Sequence, residues 1–234
     1  MSRTKDFLTQ MIVQRVNAAE RVAQSYFDEA SEVIVFGSMA VGLDRPDSDI
    51  DVMCIGGRES KLKTNLLDLL VFSRESTKNL GWLQSELALH VSHYGVWIKG
   101  TPDWINRAHI GQHAILEKRR RVEAFMRHLP DAWSRLEEGF RVKYSIKVRR
   151  EAQRLLLLSR GVPVPPTRML DTCWGSFCAS QSELQEFLRR IAPKDRTEFS
   201  REFLAYVDTN IDVERVVGKG HFRPKVRVLR GSVL

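Results

Sequence analysis

The chain has 234 residues, enough for one large domain or for two small ones that each bury a core. Hydrophobic residues make up 43% of it and charged residues 28%, as in an ordinary globular protein. No apolar run approaches the roughly 20 residues that cross a bilayer, and residues 1–6 lack the apolar segment of a secretory signal. Because the three cysteines also lack metal-site spacing, we expect a cytoplasmic protein without a membrane partner.

The net charge of +8 is distributed unevenly along the chain. Residues 1–100 contain 11 basic and 13 acidic side chains, whereas residues 101–234 contain 26 and 16. A basic second half indicates contact with an anionic molecule, for which nucleotide phosphates and an RNA backbone both qualify. The alternative is a solubilising charge on the surface of helices.

The first predicted elements are a helix and a buried strand. Residues 4–27 have apolar side chains at three- and four-residue spacing, which predicts an amphipathic helix that covers one face of a sheet. Residues 33–36 are apolar and mostly β-branched, and they end at Gly37-Ser38, which predicts a strand followed by a tight turn. Gly37 lets the backbone approach a phosphate closely, and Ser38 adds a hydroxyl and an N–H donor.

The second predicted strand carries two carboxylates, Asp49 and Asp51. Because side chains alternate along a strand, both carboxylates point to the same side while Ile50 and Val52 point into the core. Neighbouring carboxylates repel each other unless a cation lies between them. Since Mg²⁺ is usually held by one or two carboxylates together with substrate phosphates, this pair predicts a magnesium site beside the preceding turn.

An Asp-x-Asp pair, Asp49 and Asp51, begins eleven residues after Ser38 of the Gly37-Ser38 turn. This pattern resembles the signature of the nucleotidyltransferase superfamily that includes DNA polymerase β. The resemblance covers about residues 30–100. It implies a small mixed β-sheet nucleotidyltransferase domain flanked by helices. Together with the helical pattern after residue 100, this predicts an α+β fold in which the domain is followed by an all-α helical bundle. The resemblance also implies that the Gly-Ser turn binds the triphosphate and that the aspartates bind two Mg²⁺ ions.

The next apolar run, residues 66–73, has an acid in its middle, Asp68. A charge in such a run is costly to bury unless it is paired or bound to a metal. Members of the resembled superfamily take a third metal-binding carboxylate from the next strand, which implies this role for Asp68, with Glu75 as the alternative. The other interpretation is an acid on an edge strand or a helix without a function. Residues 58–65, before this run, are predicted to be a polar connection.

The end of the first domain is predicted from a helix and a last strand. Residues 77–94 show helical spacing, and residues 95–100 are a short apolar segment between two glycines. We expect a catalytic domain at residues 1–100. The pattern then changes to helices, which predicts a helical bundle at residues 101–217 and a basic tail without acids at residues 218–234.

The second half is predicted to consist of helices separated by prolines and glycines. The predicted boundaries are a helix start at Pro102, a basic helix at 112–128 that Pro130 ends, a long helix at 131–159 that ends before Gly161, and two or three helices within 167–207.

A stripe of four cations marks the long predicted helix. The first cation is Lys143, and the others follow four, seven and eleven residues later, at Lys147, Arg150 and Arg154. This spacing puts all four on one side of the helix. If this stripe faces the cleft, Lys143 and Lys147 are the candidates for binding the triphosphate. If it faces solvent, it is only a hydrated surface.

The order of a long helix, a glycine turn, paired prolines and another helix also resembles, weakly, the HEPN type of helical bundle found beside minimal nucleotidyltransferases. HEPN ribonucleases use an arginine and a histidine separated by four to six residues. Two pairs fit this spacing, Arg107 with His113 and Arg121 with His128. Because 26 basic residues make chance matches expected in this half, we assign no ribonuclease site.

The resemblance implies an enzyme that transfers a nucleoside monophosphate from an NTP, expected to be ATP, to an acceptor hydroxyl on RNA, protein or a small molecule. The basic second half favours RNA or another phosphate-rich acceptor, and a homo-oligomer is left open. Many minimal members have an arginine where this chain has Val41, and Arg45 is the candidate substitute for that cation. The alternative is a non-catalytic antitoxin-like or regulatory protein that binds nucleotide or RNA with the same fold.

Overall fold

The computed structural model describes residues 10, 20–45, 48–64, 66–174, 177 and 181–208. A helix, α1 (Glu20–Glu29), overlaps the end of the predicted helix 4–27. Most of that predicted helix lies outside the described residues, as does the whole of the predicted basic tail 218–234.

A five-stranded mixed sheet forms the centre of the first half. Its strands are β1 (Glu32–Phe36), β2 (Ile50–Ile55), β3 (Ser60–Lys63), β4 (Leu67–Phe72) and β5 (Val96–Lys99). Their order across the sheet is β3-β4-β2-β1-β5, with β2 and β4 parallel and the other neighbours antiparallel. The predicted mixed sheet is therefore confirmed.

The central strands pack against apolar side chains on both faces of the sheet. Val35 and Val52 belong to one buried cluster, whereas Ile34 and Met53 belong to another on the opposite face. This division follows from the period-two alternation of side chains along a strand. Because both faces are covered, the strands appear in the sequence as continuous apolar runs rather than alternating ones.

The edge strand β3 corrects the prediction of a polar connection at residues 58–65. Ser60–Lys63 pairs antiparallel with β4, and its side chains alternate between partly buried and exposed. Lys61 and Lys63 are the exposed positions. Lysines on an edge strand discourage pairing with other chains, but they also give the segment the composition of a loop.

The predicted helix 77–94 is divided into shorter pieces, which are a 3₁₀ turn (Ser76–Lys78), α3 (Leu80–Leu83) and α4 (Glu86–Tyr94). The side chains of Asn79 and Ser85 accept hydrogen bonds from the backbone N–H groups of Trp82 and Ala88. Each of these caps begins a new helix, which explains the interruptions. A further short helix, α2 (Gly37–Ala40), directly follows β1.

A helical bundle follows the sheet, as predicted. Its helices are α5 (Gln112–Trp133), α6 (Glu138–Ser159), α7 (Thr167–Thr172), α8 (Gln181–Ile191) and α9 (Thr197–Asp208). One apolar core joins them and includes Trp133, Leu158 and Phe203. In the part of the chain that the structure describes, no helix has both the length and the apolar character needed to cross a bilayer. The domain boundaries at residues 100 and 217 stay predictions.

Three predicted helix boundaries are wrong. The long helix α6 begins at Glu138 rather than at residue 131. Helix α5 continues through Pro130 to Trp133, although proline removes one backbone N–H donor. The burial of Leu129 and Trp133 on either side stabilises this last turn. The segment after Pro102 forms a 3₁₀ turn at Ile105–Arg107 rather than the start of an α-helix.

Candidate active site

The turn at Gly37 brings the end of β1 against the carboxylate of Asp51. Gly37 has a φ of +73°, a conformation that residues with a side chain rarely adopt. A Cβ atom at this position would overlap the Asp51 carboxylate. Glycine is therefore required here for both the backbone conformation and the close approach. Ser38 follows in α2, and both residues line the same cleft as Asp51.

Three aspartates converge beside this turn. Asp49 directly precedes β2, Asp51 lies within β2, and Asp68 is the partner of Asp51 in the parallel pairing of β2 with β4. One carboxylate oxygen of each lies within 4.8 Å of the other two. Asp68 Oδ1 is buried and accepts no hydrogen bond in the described residues, although the Lys61 ammonium group lies 3.5 Å away. A set of three carboxylate donors fits Mg²⁺ or a similar hard cation.

The cluster is electrostatically strained without a cation. The pKa of Asp51 is raised to about 6, first by burial and then by the charges of Asp49 and Asp68. Lys63 and Lys61 act in the opposite direction. A divalent cation between the carboxylates would remove this repulsion and favour the ionised form of Asp51.

Lys63, on the edge strand β3, contacts two of the three carboxylates. Its Nζ lies 2.5 Å from Asp68 Oδ2 and 3.4 Å from Asp49 Oδ2. The hydrogen bond to Asp68 is the largest cause of the raised pKa of Lys63. The Lys63 side chain is 56% exposed, so its ammonium group can move into solvent. The sequence pattern gave no sign of this contact, because β3 was not predicted.

The structure brings Asp68, not Glu75, to the aspartate pair. Asp68 lies near the start of β4, level with Asp51, whereas Glu75 lies in the turn after the opposite end of β4. Glu75 is exposed and is not part of the carboxylate cluster.

A cleft of about 1180 Å³ lies between the end of the sheet and the helical bundle. Gly37, Ser38, Asp49 and Asp51 line one side. The residues with basic side chains that line it are Arg45, Lys118, Arg121, Arg149, Arg150, Arg154 and Arg168. Arg45, the candidate substitute for a cation at Val41, is thus in a position to contact a ligand in the cleft.

Lys143 and Lys147 do not line this cleft. Both are exposed on α6, and the Lys147 ammonium lies 5.1 Å from the centre of the Phe125 ring. The predicted stripe is about 16 Å long at 1.5 Å per residue, and only its C-terminal part, Arg150 and Arg154, reaches the cleft. The structure therefore does not bring the two lysines together with the aspartates.

Two hydrogen bonds hold the bundle against the sheet at the cleft. Arg168 Nη1, on α7, donates to the carbonyl oxygen of Leu43 over 2.6 Å, just after the turn that contains Ser38. His90 Nδ1, on α4, is 2.6 Å from the carbonyl oxygen of Val164. Because a carbonyl oxygen can only accept, Nδ1 of His90 is the donor. Burial lowers the pKa of this histidine.

The chain was compared with known proteins. A family model described as "Nucleotidyltransferase domain" matches residues 17–152. Among solved structures, a spectinomycin adenyltransferase from Enterococcus faecialis, crystallised with ATP and spectinomycin, has 12% identity and a TM-score of 0.42, over 84% of this chain and 99% of that one. No curated protein matches the chain. Because the family model spans more than half of its length, the chain belongs to the nucleotidyltransferase domain family.

Proposed function

We propose that the protein transfers a nucleoside monophosphate from an NTP, with ATP as the expected donor, to an acceptor hydroxyl and releases pyrophosphate. Membership of the family gives nucleotidyl transfer as the class of reaction. The observation that carries the proposal is the convergence of Asp49, Asp51 and Asp68 beside the Gly37 turn, at the edge of a cleft that Gly37, Asp49 and Asp51 line. This arrangement supports a metal site and a phosphate-binding turn within reach of each other.

In this proposal the aspartates hold two Mg²⁺ ions. Asp49 and Asp51 would hold both ions, and Asp68 would complete the binding of the ion that activates the acceptor hydroxyl. When bound, the ions would neutralise charge on the phosphates and favour ionisation of the acceptor hydroxyl. Asp68 would accept the hydroxyl proton, because its carboxylate lies beside those of Asp49 and Asp51.

The remaining groups position the nucleotide. The N–H of Gly37 and the hydroxyl of Ser38 would bind the β- and γ-phosphates. Arg168 is a better candidate for the departing pyrophosphate than Lys143 or Lys147, because it contacts the loop that follows the turn. Such positioning and charge neutralisation are the main requirements of phosphoryl transfer.

The test is a transfer assay with α-labelled NTPs and Mg²⁺, in which total RNA, protein and small hydroxyl compounds are offered as acceptors. We expect label on one class of acceptor and its loss in Asp49→Asn. Glu75→Gln is the matched control, because it removes a carboxylate outside the cluster. Absence of transfer to every acceptor, with Asp49→Asn indistinguishable from wild type, would contradict the proposal.

A second candidate is a non-catalytic antitoxin-like or regulatory protein that binds nucleotide or RNA. The contact of Lys63 with Asp68 and Asp49 favours it, because an ammonium group already compensates part of the charge of these carboxylates. This candidate predicts NTP binding without transfer, and NTP binding that is unchanged in Asp51→Ala. The same labelled NTPs, used in equilibrium binding, distinguish the two.

A further inference from the structure

The wall of the cleft opposite the aspartates contains basic side chains from α5 and α6. We call these residues the cationic wall: Lys118, Arg121, Arg149, Arg150 and Arg154. Among the described residues, the carboxylates in ion pairs with them are Glu86, Glu151 and Asp171. Five cations therefore meet three anions, and the wall keeps a net positive charge.

Arg149 is a buried charge that its neighbours compensate only in part. It is 9% exposed, and its Nη2 lies 3.5 Å from Asp171 Oδ1, an oxygen that Arg150 Nε already contacts at 3.0 Å. Its Nε has no hydrogen-bond partner in the described part of the chain. Burial lowers the pKa of its guanidinium. Because a buried cation is costly unless it is fully paired, a further anion bound beside Arg149 would be stabilising.

Arg154 and Arg121 extend this surface along the cleft. Arg154 donates to the Thr167 hydroxyl over 2.8 Å and lies 3.6 Å from Glu86, but its buried Nε has no partner among the described residues. Arg121 is mostly exposed, and its carboxylate contact with Glu151 is long, at 3.7 Å. Guanidinium groups present paired N–H donors that match the oxygens of a phosphate or carboxylate.

The nucleotide alone does not account for this charge. An NTP bound with two divalent ions is close to electrically neutral, and two further cations, Arg45 and Arg168, line the same cleft. The cleft, at about 1180 Å³, also exceeds the range of about 300–1,000 Å³ that is usual for one ligand. There is room and positive charge for a second, anionic molecule.

We propose that the acceptor is a small hydroxyl compound with a phosphate or carboxylate group, which the cationic wall binds. This inference rests on the proposed function. The acceptor oxygen bonds to the α-phosphorus of the NTP, the bond from that phosphorus to the oxygen bridging to the β-phosphate breaks, pyrophosphate leaves, and the hydroxyl proton passes to Asp68. The wall would repel a cationic acceptor. RNA binding favours an exposed track of cations, whereas Lys118 and Arg149 are 6% and 9% exposed inside the cleft.

The experiment measures binding to the full chain saturated with Mg²⁺ and a non-hydrolysable ATP analogue, so it does not depend on turnover. The probes are glycerol 3-phosphate, neutral glycerol, the cation serinol and a short RNA. We expect glycerol 3-phosphate to bind at least about tenfold more tightly than glycerol or serinol. Arg149→Gln and Arg121→Gln should each weaken this binding by about tenfold, with the affinity for the ATP analogue unchanged. Because the Arg121 side chain is mostly exposed, Arg121→Gln should fold normally, and it tests the inference even if Arg149→Gln does not fold.

Arg127→Gln is the control, because it removes an exposed cation of α5 that does not line the cleft. The inference is overturned if glycerol or serinol binds as tightly as glycerol 3-phosphate, or if RNA binds and glycerol 3-phosphate does not. It is also overturned if glycerol 3-phosphate displaces the analogue, or if the variants weaken the analogue instead. A failure of the proposed nucleotidyl transfer can be distinguished from a failure of this inference. Asp51→Asn should lose transfer and still bind glycerol 3-phosphate.

Discussion

The ammonium group of Lys63 lies 2.5 Å from a carboxylate oxygen of Asp68, so a cation from the protein itself contacts the proposed metal site. Lys63 is 56% exposed, and exposed ion pairs of this kind contribute only about 0–1 kcal/mol. A divalent ion that contacts three carboxylates interacts more strongly than one mobile ammonium group. The contact therefore neutralises the cluster only in part in the free protein, without closing the site to a metal ion.

Replacing Lys63 tests this interpretation. Lys63→Met removes the competing cation and makes the cluster more negative, so we expect Mn²⁺ affinity to increase by about fivefold, equivalent to about 1 kcal/mol. Titration with Mn²⁺ in the absence of nucleotide measures the change. Lys78→Met, an exposed lysine after the opposite end of β4, should leave the affinity unchanged. Weaker Mn²⁺ binding in Lys63→Met would show instead that Lys63 holds the carboxylates in position.

Gly37→Ala should impair both folding and activity. Gly37 has a φ of +73°, and an added Cβ would overlap the Asp51 carboxylate. Gly161 has a nearly identical φ of +70°, but an added Cβ there has no neighbour within 4 Å. We expect Gly161→Ala to cost about 1 kcal/mol from backbone strain alone, and Gly37→Ala to cost more.

Urea unfolding and the transfer assay measure these two effects. Gly161→Ala should keep nucleotidyl transfer, whereas Gly37→Ala should lose it, because Asp51 must move. Equal losses of stability in both variants, with transfer retained in Gly37→Ala, would show that the close approach to Asp51 is not required.

Asp51 predicts a pH dependence of stability in the metal-free protein. Its pKa is raised to about 6 in the folded chain, compared with about 4 for an ordinary aspartate. Because folding favours the protonated carboxyl, its contribution to stability is greatest below about pH 4 and is lost as the pH rises through about 6. Asp51→Asn should remove this part of the pH dependence.

The measurement is urea unfolding with EDTA at several values between about pH 4 and about pH 7. Adding Mg²⁺ should stabilise the wild-type protein most at the upper end of this range, where Asp51 is ionised. Identical pH profiles for wild type and Asp51→Asn would mean that this carboxyl has an ordinary pKa.

Asp68 and Glu75 should differ in their effect on nucleotidyl transfer. We expect Asp68→Asn to lower kcat by on the order of 10²–10³, because a ligand of the metal near the acceptor is lost. Glu75→Gln should keep wild-type kinetics. Steady-state rates with labelled ATP measure both, and equal rates in the two variants would remove Asp68 from the proposed site.

The strands at the centre of the fold could be predicted because their sequences are short, buried, β-branched runs. β1 and β2 fit this description, and the turn at Gly37 follows from the glycine that ends the first run. β3 could not be recognised, since two exposed lysines give it the composition of a loop. Pro130 misled the prediction because tertiary burial of its neighbours outweighs the lost hydrogen bond.

The candidate site could be predicted only in part from the sequence. Asp49 and Asp51 share one side because they are two residues apart, which is local information. Asp68 joins them only through the parallel pairing of β2 with β4. The cationic wall depends on how α5 and α6 pack against the sheet, and the periodicity of one helix cannot specify which part of it faces the cleft. That is why the stripe suggested Lys143 and Lys147, while Arg149, Arg150 and Arg154 line the cleft.

The central claim is that Asp49, Asp51 and Asp68 hold divalent ions beneath an NTP. The most direct measurement is a count of Mn²⁺ ions bound per chain by electron paramagnetic resonance, with the protein saturated by a non-hydrolysable ATP analogue. We predict two ions for the wild-type protein and for Glu75→Gln, and fewer for Asp51→Asn and Asp68→Asn. The same number of ions in Asp51→Asn as in the wild type would contradict the claim.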